Sequence, residues 1–290
     1  MKILVLGSQG QLGMCLNDQL QNMNHEIIFT SRIEIDISLF EQSYKKIKKI
    51  SPDIIINASA YTNVDFAEKE KNKANLVNHL SVENIANICK KIEARLIHIS
   101  TDYVFDGSSN KAYSESDACK PCGVYGDTKY KGEQAVLASN CEYIIIRTSW
   151  LFSEYGTNFM KTMLNLGSTK DSIKVINDQI GCPTYAQDLA KVITKIVELN
   201  DISKFKSNIY HYCGDKACSW YEFATAIFKQ ASKMGLPCPK IIKPINTSEY
   251  KTLANRPFNS EMNCNKIMKD YDINRSDWRT GIKTVLKKIK

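Results

Sequence analysis

Two short stretches carry groups that could move a proton onto a carbonyl oxygen. The first, Ser100-Thr101-Asp102-Tyr103, closes an apolar run, and the second, Tyr125-Gly126-Asp127-Thr128-Lys129, opens a helical pattern. A hydroxyl at Thr101, a phenol at Tyr125 and an ammonium at Lys129 are the equipment for protonating a ketone during a hydride transfer. Residues four apart share a helix face, so Lys129 is expected to sit over Tyr125, reach a nicotinamide ribose and lower the phenol pKa. The Tyr-x-x-x-Lys spacing alone says little, because the chain also contains it at Tyr44/Lys48 and Tyr212/Lys216. Only Tyr125/Lys129 follows the Ser100-Thr101 strand end in the half of the chain that carries a glycine turn. Ligands of open parallel sheets bind beyond the carboxyl ends of the strands, so position selects that pair.

The glycine turn is Gly7-Ser8-Gln9-Gly10-Gln11-Leu12-Gly13, directly after an apolar run and directly before a helical pattern. Glycines there allow a tight turn, a close approach of a pyrophosphate to the backbone and tight helix packing, with phosphate at the helix N-terminus. A dinucleotide site is the expectation. After the second expected strand the chain reads Thr30-Ser31-Arg32, where a ribose-binding acid would otherwise stand. The hydroxyl of Ser31 and guanidinium of Arg32 can hold a 2′-phosphate, which favours NADPH; nearby Glu34 and Asp36 leave NADH possible.

These groups need a scaffold, and the first half alternates β-branched runs with helical patterns, the signature of βαβ units. Strands are expected at 2–6, 26–30, 53–57, 95–100 and 142–147, several apolar throughout, as in a sheet covered on both faces. Helices are expected at 12–23, 39–50, 73–91 and 125–139. After Trp150 the pattern loosens, with a strand at 209–212 and a helix at 220–232 expected to return to the sheet. The fold class is therefore α/β: a Rossmann-type doubly wound parallel sheet with a smaller, partly interleaved C-terminal lobe. A dinucleotide-binding domain is expected over 1–149 and a mainly substrate-binding lobe over 150–290.

The chain has 290 residues, a formal net charge of +8 and ten cysteines. The charge suits an anionic partner such as a nucleotide or diphosphate sugar. The lysine runs at 45–49 and 287–290 have apolar helical spacing around them and read as solvated helix faces, so no nucleic-acid partner is expected. The apolar opening at 1–7 is too short for a signal peptide and no run is long enough to cross a bilayer, which makes a cytoplasmic location the expectation. The cysteines lack the spacing of a disulfide framework and read as reduced thiols. Cys119-Lys120-Pro121-Cys122 has metal or redox spacing, but two further zinc ligands are missing and no metal is expected.

The G-x-x-G-x-x-G spacing resembles the extended short-chain dehydrogenase/reductase superfamily. That resemblance places Asp36-Ile37 beside the adenine and Asn57-Ala58-Ser59-Ala60-Tyr61 along the cofactor. A closer likeness lies in Ser100-Thr101-Asp102-Tyr103-Val104-Phe105-Asp106-Gly107, Tyr125 to Lys129 with Gly132-Glu133, and Arg147-Thr148-Ser149-Trp150-Leu151-Phe152. With Asn158-Phe159, Asp178 to Ala186, Asp188-Leu189-Ala190 and Arg256-Pro257, the chain resembles the dTDP-4-dehydrorhamnose reductase family over most of its length. The resemblance implies reduction of the C4 ketone of dTDP-4-dehydro-β-L-rhamnose, in the synthesis of rhamnose for cell-surface polysaccharide. Tyr125 would donate the proton, Lys129 orient ribose and phenol, and Thr101 polarise the ketone. Asp102, Tyr103, Trp150 and Asn158 would line the sugar nucleotide, and Arg256 either pairs with the diphosphate or forms a salt bridge within the small lobe.

Two departures from that family carry consequences. Cys15 stands where some members have a carboxylate ligand of a metal-bridged dimer, and a thiol is a poor magnesium ligand, so no structural Mg²⁺ is expected and monomer and homodimer both stay open. The Cys119/Cys122 loop stands where the family has a Pro-rich turn, and a disulfide there would displace the helix that follows. Three other readings compete: reduction of another 4-keto-6-deoxy sugar nucleotide; a related dehydratase or epimerase, which Tyr103 argues against because dehydratases carry an acid there; and a non-catalytic dinucleotide-binding subunit like the regulatory subunit of methionine adenosyltransferase.

Overall fold

The computed structural model describes residues 1–198, 205 and 207–290. Six strands form one wholly parallel sheet: β1 (Lys2–Leu6), β2 (Glu26–Thr30), β3 (Ile54–Asn57), β4 (Arg95–Thr101), β5 (Tyr143–Thr148) and β6 (Asn208–His211), in the order β6-β5-β4-β3-β1-β2. Each lies within a residue of its expected span. The larger helices are α1 (Gln11–Leu20), α2 (Phe40–Ile50), α3 (Ser81–Ile92), α4 (Val124–Ala138), α5 (Phe159–Thr169), α6 (Ala186–Glu198), α7 (Trp220–Lys233) and α8 (Trp278–Ile289).

Side chains alternate across each strand, so the apolar runs feed two cores. Ile3 and Val5 of β1 join Leu12 and Leu16 of α1 and Leu189 and Ile193 of α6 on one face. Leu4 and Leu6 join Ile47 of α2, Ile85 of α3 and Val136 of α4 on the other. The chain leaves β1 for β2 on one side and reaches β3 on the other, which opens a crevice at the carboxyl ends of β1 and β3.

Two expectations need correction. The helix at 220–232 exists as α7 but does not return to the sheet: its Phe223 and Ile227 pack against Trp278 and Ile282 of α8 in the C-terminal lobe, beside the parallel pair Ser172–Ile176/Ile241–Ile245. The returning helix is α6, which lies against α1; an amphipathic stripe shows that a helix buries one face without showing which surface covers it. The expected continuous helix at 73–91 is instead Lys71–Asn75, a π-turn at Leu76–Leu80, and α3. The wider turn carries Asn78, whose Oδ1 accepts from Tyr61 N–H at 2.8 Å and whose Nδ2 donates to Tyr61 O at 3.0 Å. Its carbonyl oxygen lies where a Cβ on Gly132 would come within 2.2 Å, so only glycine lets α4 approach there.

The lysine runs lie on α2 and α8, whose buried residues include Ile47 on the first and Ile282, Val285 and Leu286 on the second. Among the described residues no helix is long and apolar enough to cross a membrane.

Candidate active site

A cleft of about 800 Å³ opens at the carboxyl ends of the strands, between the sheet and the C-terminal lobe. Gly7, Gly10, Gln11 and Leu12 form one wall. Gly7 adopts a left-handed backbone, φ +84°, and a Cβ there would strike Ser59 at 2.8 Å. Gly13 does not face the cleft; a Cβ on it would come 2.2 Å from Gly7 O, so its absence lets α1 close onto the turn. Gly10 caps α1 with no side-chain hydrogen bond, and the first turn holds no acid. The unpaired N–H groups and the positive end of the helix dipole fit a pyrophosphate.

Arg32, Asp36, Ile37, Ala58, Ser59, Ala60 and Tyr61 continue the wall. The Arg32 side chain is 74% exposed and, among the described residues, tied only through Nε to Asp36 Oδ2 at 3.0 Å, so it is free to turn toward a 2′-phosphate at the rim. Ser31 is buried off the cleft, with its N–H donating to Glu34 Oε2 at 2.7 Å. Neither Ser31 nor Glu34 lines the cleft, so of the expected pair only Arg32 stands where a 2′-phosphate could be met.

Thr101 ends β4, and Tyr125 and Lys129 lie one turn apart on α4; all three line the cleft. The approach is fixed by Gly126, where a Cβ would come 2.2 Å from Tyr103 O. The rings of Tyr103 and Tyr125 meet edge to face, centroids 5.5 Å apart. Lys129 is buried, donates from Nζ to Ile99 O at 2.7 Å, and is brought down to about 8 by burial, with the Glu133 charge acting the other way. Tyr125 departs from the expectation that the lysine lowers it. Burial pushes its phenol up to about 12, opposed by the Thr101 hydroxyl, and Lys129 directs its amine at a backbone oxygen. Asp102 is 1% exposed and is pushed up to about 7 by burial, with the Thr101 hydroxyl, which donates to its Oδ1 at 3.0 Å, acting the other way. Its Oδ2 and Thr148 Oγ1, neighbours at the ends of β4 and β5, lack a partner among the described residues, which fits a site completed by a polar ligand.

At the lobe side, Trp150 lines the cleft with φ +47° and stacks on Trp220, centroids 3.4 Å apart and planes 5° from parallel. Gly181 makes the fit possible, since a Cβ there would strike the Trp150 ring at 2.5 Å. Asn158 reaches the cleft, caps α5 through Lys161 N–H and donates to Gln11 Oε1 at 2.7 Å, joining the lobe to the glycine turn. Arg256 is not on the cleft. It pairs with Asp65 at 2.6 Å, a bridge from the lobe to the short helix Val64–Ala67 and not one within the lobe.

Trp220, Lys73, Thr148 and Ser149 also line the cleft and were missed. The Ser219-x-x-Glu222 capping box is legible and marks where α7 begins. Nothing local tells that its first residue meets Trp150. Cys15 is buried in the core with its thiol pushed up to about 12 by burial, so it stays protonated at neutral pH. Cys119 accepts from Arg147 Nη2 at 3.2 Å while Cys122 donates to Asp106 O at 3.2 Å; both are free thiols turned to different partners.

Comparison with known proteins agrees with this geometry. The family model described as RmlD substrate binding domain matches residues 1–290. The dTDP-4-dehydrorhamnose reductase of Aggregatibacter actinomycetemcomitans is 40% identical over 98% of both chains. The chain belongs to the dTDP-4-dehydrorhamnose reductase family. Another relative of that name, from Escherichia coli K12, is 36% identical over 100% of this chain and 98% of its own. Among solved structures, the family member from Bacillus anthracis in complex with NADP superposes with a TM-score of 0.92 at 35% identity, covering 99% of each chain.

Proposed function

We propose that this protein reduces the C4 ketone of dTDP-4-dehydro-β-L-rhamnose to dTDP-L-rhamnose with NADPH, in nucleotide-sugar synthesis. The observation that carries this reading is the convergence of Thr101, Tyr125 and Lys129 on one cleft with the uncapped N-terminus of α1, in a chain so similar over its whole length to reductases of that name. Gly7, Gly10, Gln11 and Leu12 hold the pyrophosphate, Asp36 and Ile37 flank the adenine, Ala58 to Tyr61 follow the dinucleotide, and Arg32 takes the 2′-phosphate. Bound NADPH supplies the hydride.

The protein's own groups manage the proton. Tyr125 donates its phenolic proton to the developing alkoxide at O4 while Thr101 hydrogen-bonds the same oxygen, so ketone plus hydride plus proton gives the alcohol. A phenol as weakly acidic as Tyr125 in the free enzyme keeps its proton until that oxygen becomes basic. Lys129 in its charged form stabilises the phenolate left behind. Asp102, Tyr103, Trp150 and Asn158 bind the sugar nucleotide. Division of labour largely follows the chain: residues 1–149 hold the dinucleotide and supply the groups that meet the ketone, and 150–290 mainly serve the substrate, with α6 and β6 lent to the sheet. NADPH consumption on addition of the dTDP-4-keto sugar, with dTDP-L-rhamnose as product, tests the reading.

A further inference from the structure

His98 lies wholly buried on β4, directly behind Lys129, and has no part in the reaction described so far. Its hydrogen-bond partners fix its tautomer. Ser59 N–H donates to Asn57 Oδ1 at 3.1 Å, which orients the Asn57 amide so that Nδ2 faces His98 Nδ1 at 3.2 Å. An amide nitrogen can only donate, so Nδ1 is the bare nitrogen of the ring. Burial holds this imidazole well below its usual range and hence neutral. Its one proton is therefore on Nε2, and Nε2 faces Lys129 Nζ at 3.4 Å.

An ammonium in that position would set donor against donor. A neutral amine removes that clash: its lone pair accepts from His98 Nε2–H, and it donates to Ile99 O, the one oxygen among the described residues that accepts from it. The other titratable groups around Lys129 are Tyr125 and Glu133 on its own helix, and Glu133 is occupied by Arg147 of β5. From β3 comes only the uncharged Asn57.

We propose that His98 is a positioning residue for the reduction, presenting a tautomerically fixed Nε2–H to Lys129 and thereby favouring the neutral amine in the cofactor-free enzyme. The cofactor-bound, working enzyme needs the charged form, so the Asn57–His98 pair sets the upper pH at which Lys129 can serve Tyr125. This rests on the reductase reading for its role and on geometry for its tautomer.

Two measurements separate those parts. In the full-length, cofactor-free protein, long-range ¹⁵N–¹H spectra of the four imidazoles, with His98→Gln to assign the missing one, should show His98 neutral and protonated at Nε2 at pH 8. A charged ring, or one protonated at Nδ1, overturns the proposal whether or not the variant folds. The pH profile of kcat/KM is then compared in wild type, His98→Gln and His98→Met. Removing the fixed donor should move the basic limb up by about one pH unit, furthest in His98→Gln, whose amide can turn its oxygen to the ammonium. A uniform loss of rate with the limb unmoved assigns His98 a packing role and contradicts the proposal. If no keto sugar is turned over at all, the reductase reading fails while the imidazole spectra still decide the tautomer.

Discussion

Glu133 and Arg147 form a buried, two-pronged ion pair, Nε to Oε1 at 2.9 Å and Nη2 to Oε2 at 2.7 Å, with side chains 0% and 3% exposed. The pair joins α4, which carries Tyr125 and Lys129, to β5, and Ser100 at the end of β4 donates to the same carboxylate. Three elements that meet at the cleft are thus locked by one carboxylate.

Breaking such a pair from one side leaves a buried charge uncompensated. Arg147→Met should therefore lower stability by about 3–5 kcal/mol, read as a fall in the urea midpoint. A loss below about 1 kcal/mol would show that water reaches Glu133 and that the lock is weak.

Asp102 makes stability depend on pH with a definite sign. Its folded-state pKa, about 7, lies above the ordinary carboxylate value, so the native state binds the extra proton and stability falls as pH rises from about 4 to about 7. Asp102→Asn removes that slope. Chemical denaturation at pH 4.5 and pH 8 should show the variant gaining on wild type by several kcal/mol across the interval, at about 1.4 kcal/mol for each tenfold difference in proton affinity between the folded and unfolded chain. Equal pH dependence in both proteins would place the carboxylate in contact with water.

Trp220 supports Trp150 by face-to-face stacking at the substrate end of the cleft. Trp220→Ala frees a ring held in left-handed backbone and should raise KM for the sugar nucleotide severalfold, in line with about 0.5–1.5 kcal/mol for an aromatic pair, while KM for NADPH stays the same. Steady-state kinetics with each substrate varied in turn checks the split; a rise in both constants would mean that the lobe has moved as a whole.

Arg32→Ala tests the coenzyme preference. Loss of a charged hydrogen bond to a 2′-phosphate costs about 1.5–3 kcal/mol, so NADPH affinity should fall at least tenfold with NADH affinity nearly unchanged, by titration of intrinsic fluorescence. Parallel losses for both would move the phosphate away from Arg32.

Most of the sheet was legible because strands such as Ile3–Leu6 and Ile54–Ile56 are apolar on both faces, which only a doubly covered sheet satisfies. The glycine turn and the Thr101, Tyr125 and Lys129 set were legible because local spacing places them at strand ends and on one helix face. What escaped was set by distant contacts. Arg256 is drawn to Asp65 far earlier in the chain, and Trp220 is brought to Trp150 by the packing of α7 on α8. The phenol pKa escaped for a related reason: the burial that raises it comes from the tertiary packing around the ring, whereas the helix spacing shows only the nearby lysine.

The central claim is that Tyr125 gives the proton to a keto-sugar nucleotide. The most direct test is NADPH oxidation with dTDP-4-dehydrorhamnose generated in place, comparing wild type with Tyr125→Phe while measuring NADPH affinity in both. Turnover in wild type that falls by about 10²–10⁴ in the variant, with NADPH binding retained, is the predicted result. A variant that turns over at the wild-type rate, or a wild type that binds NADPH and leaves the verified substrate untouched, would contradict the account.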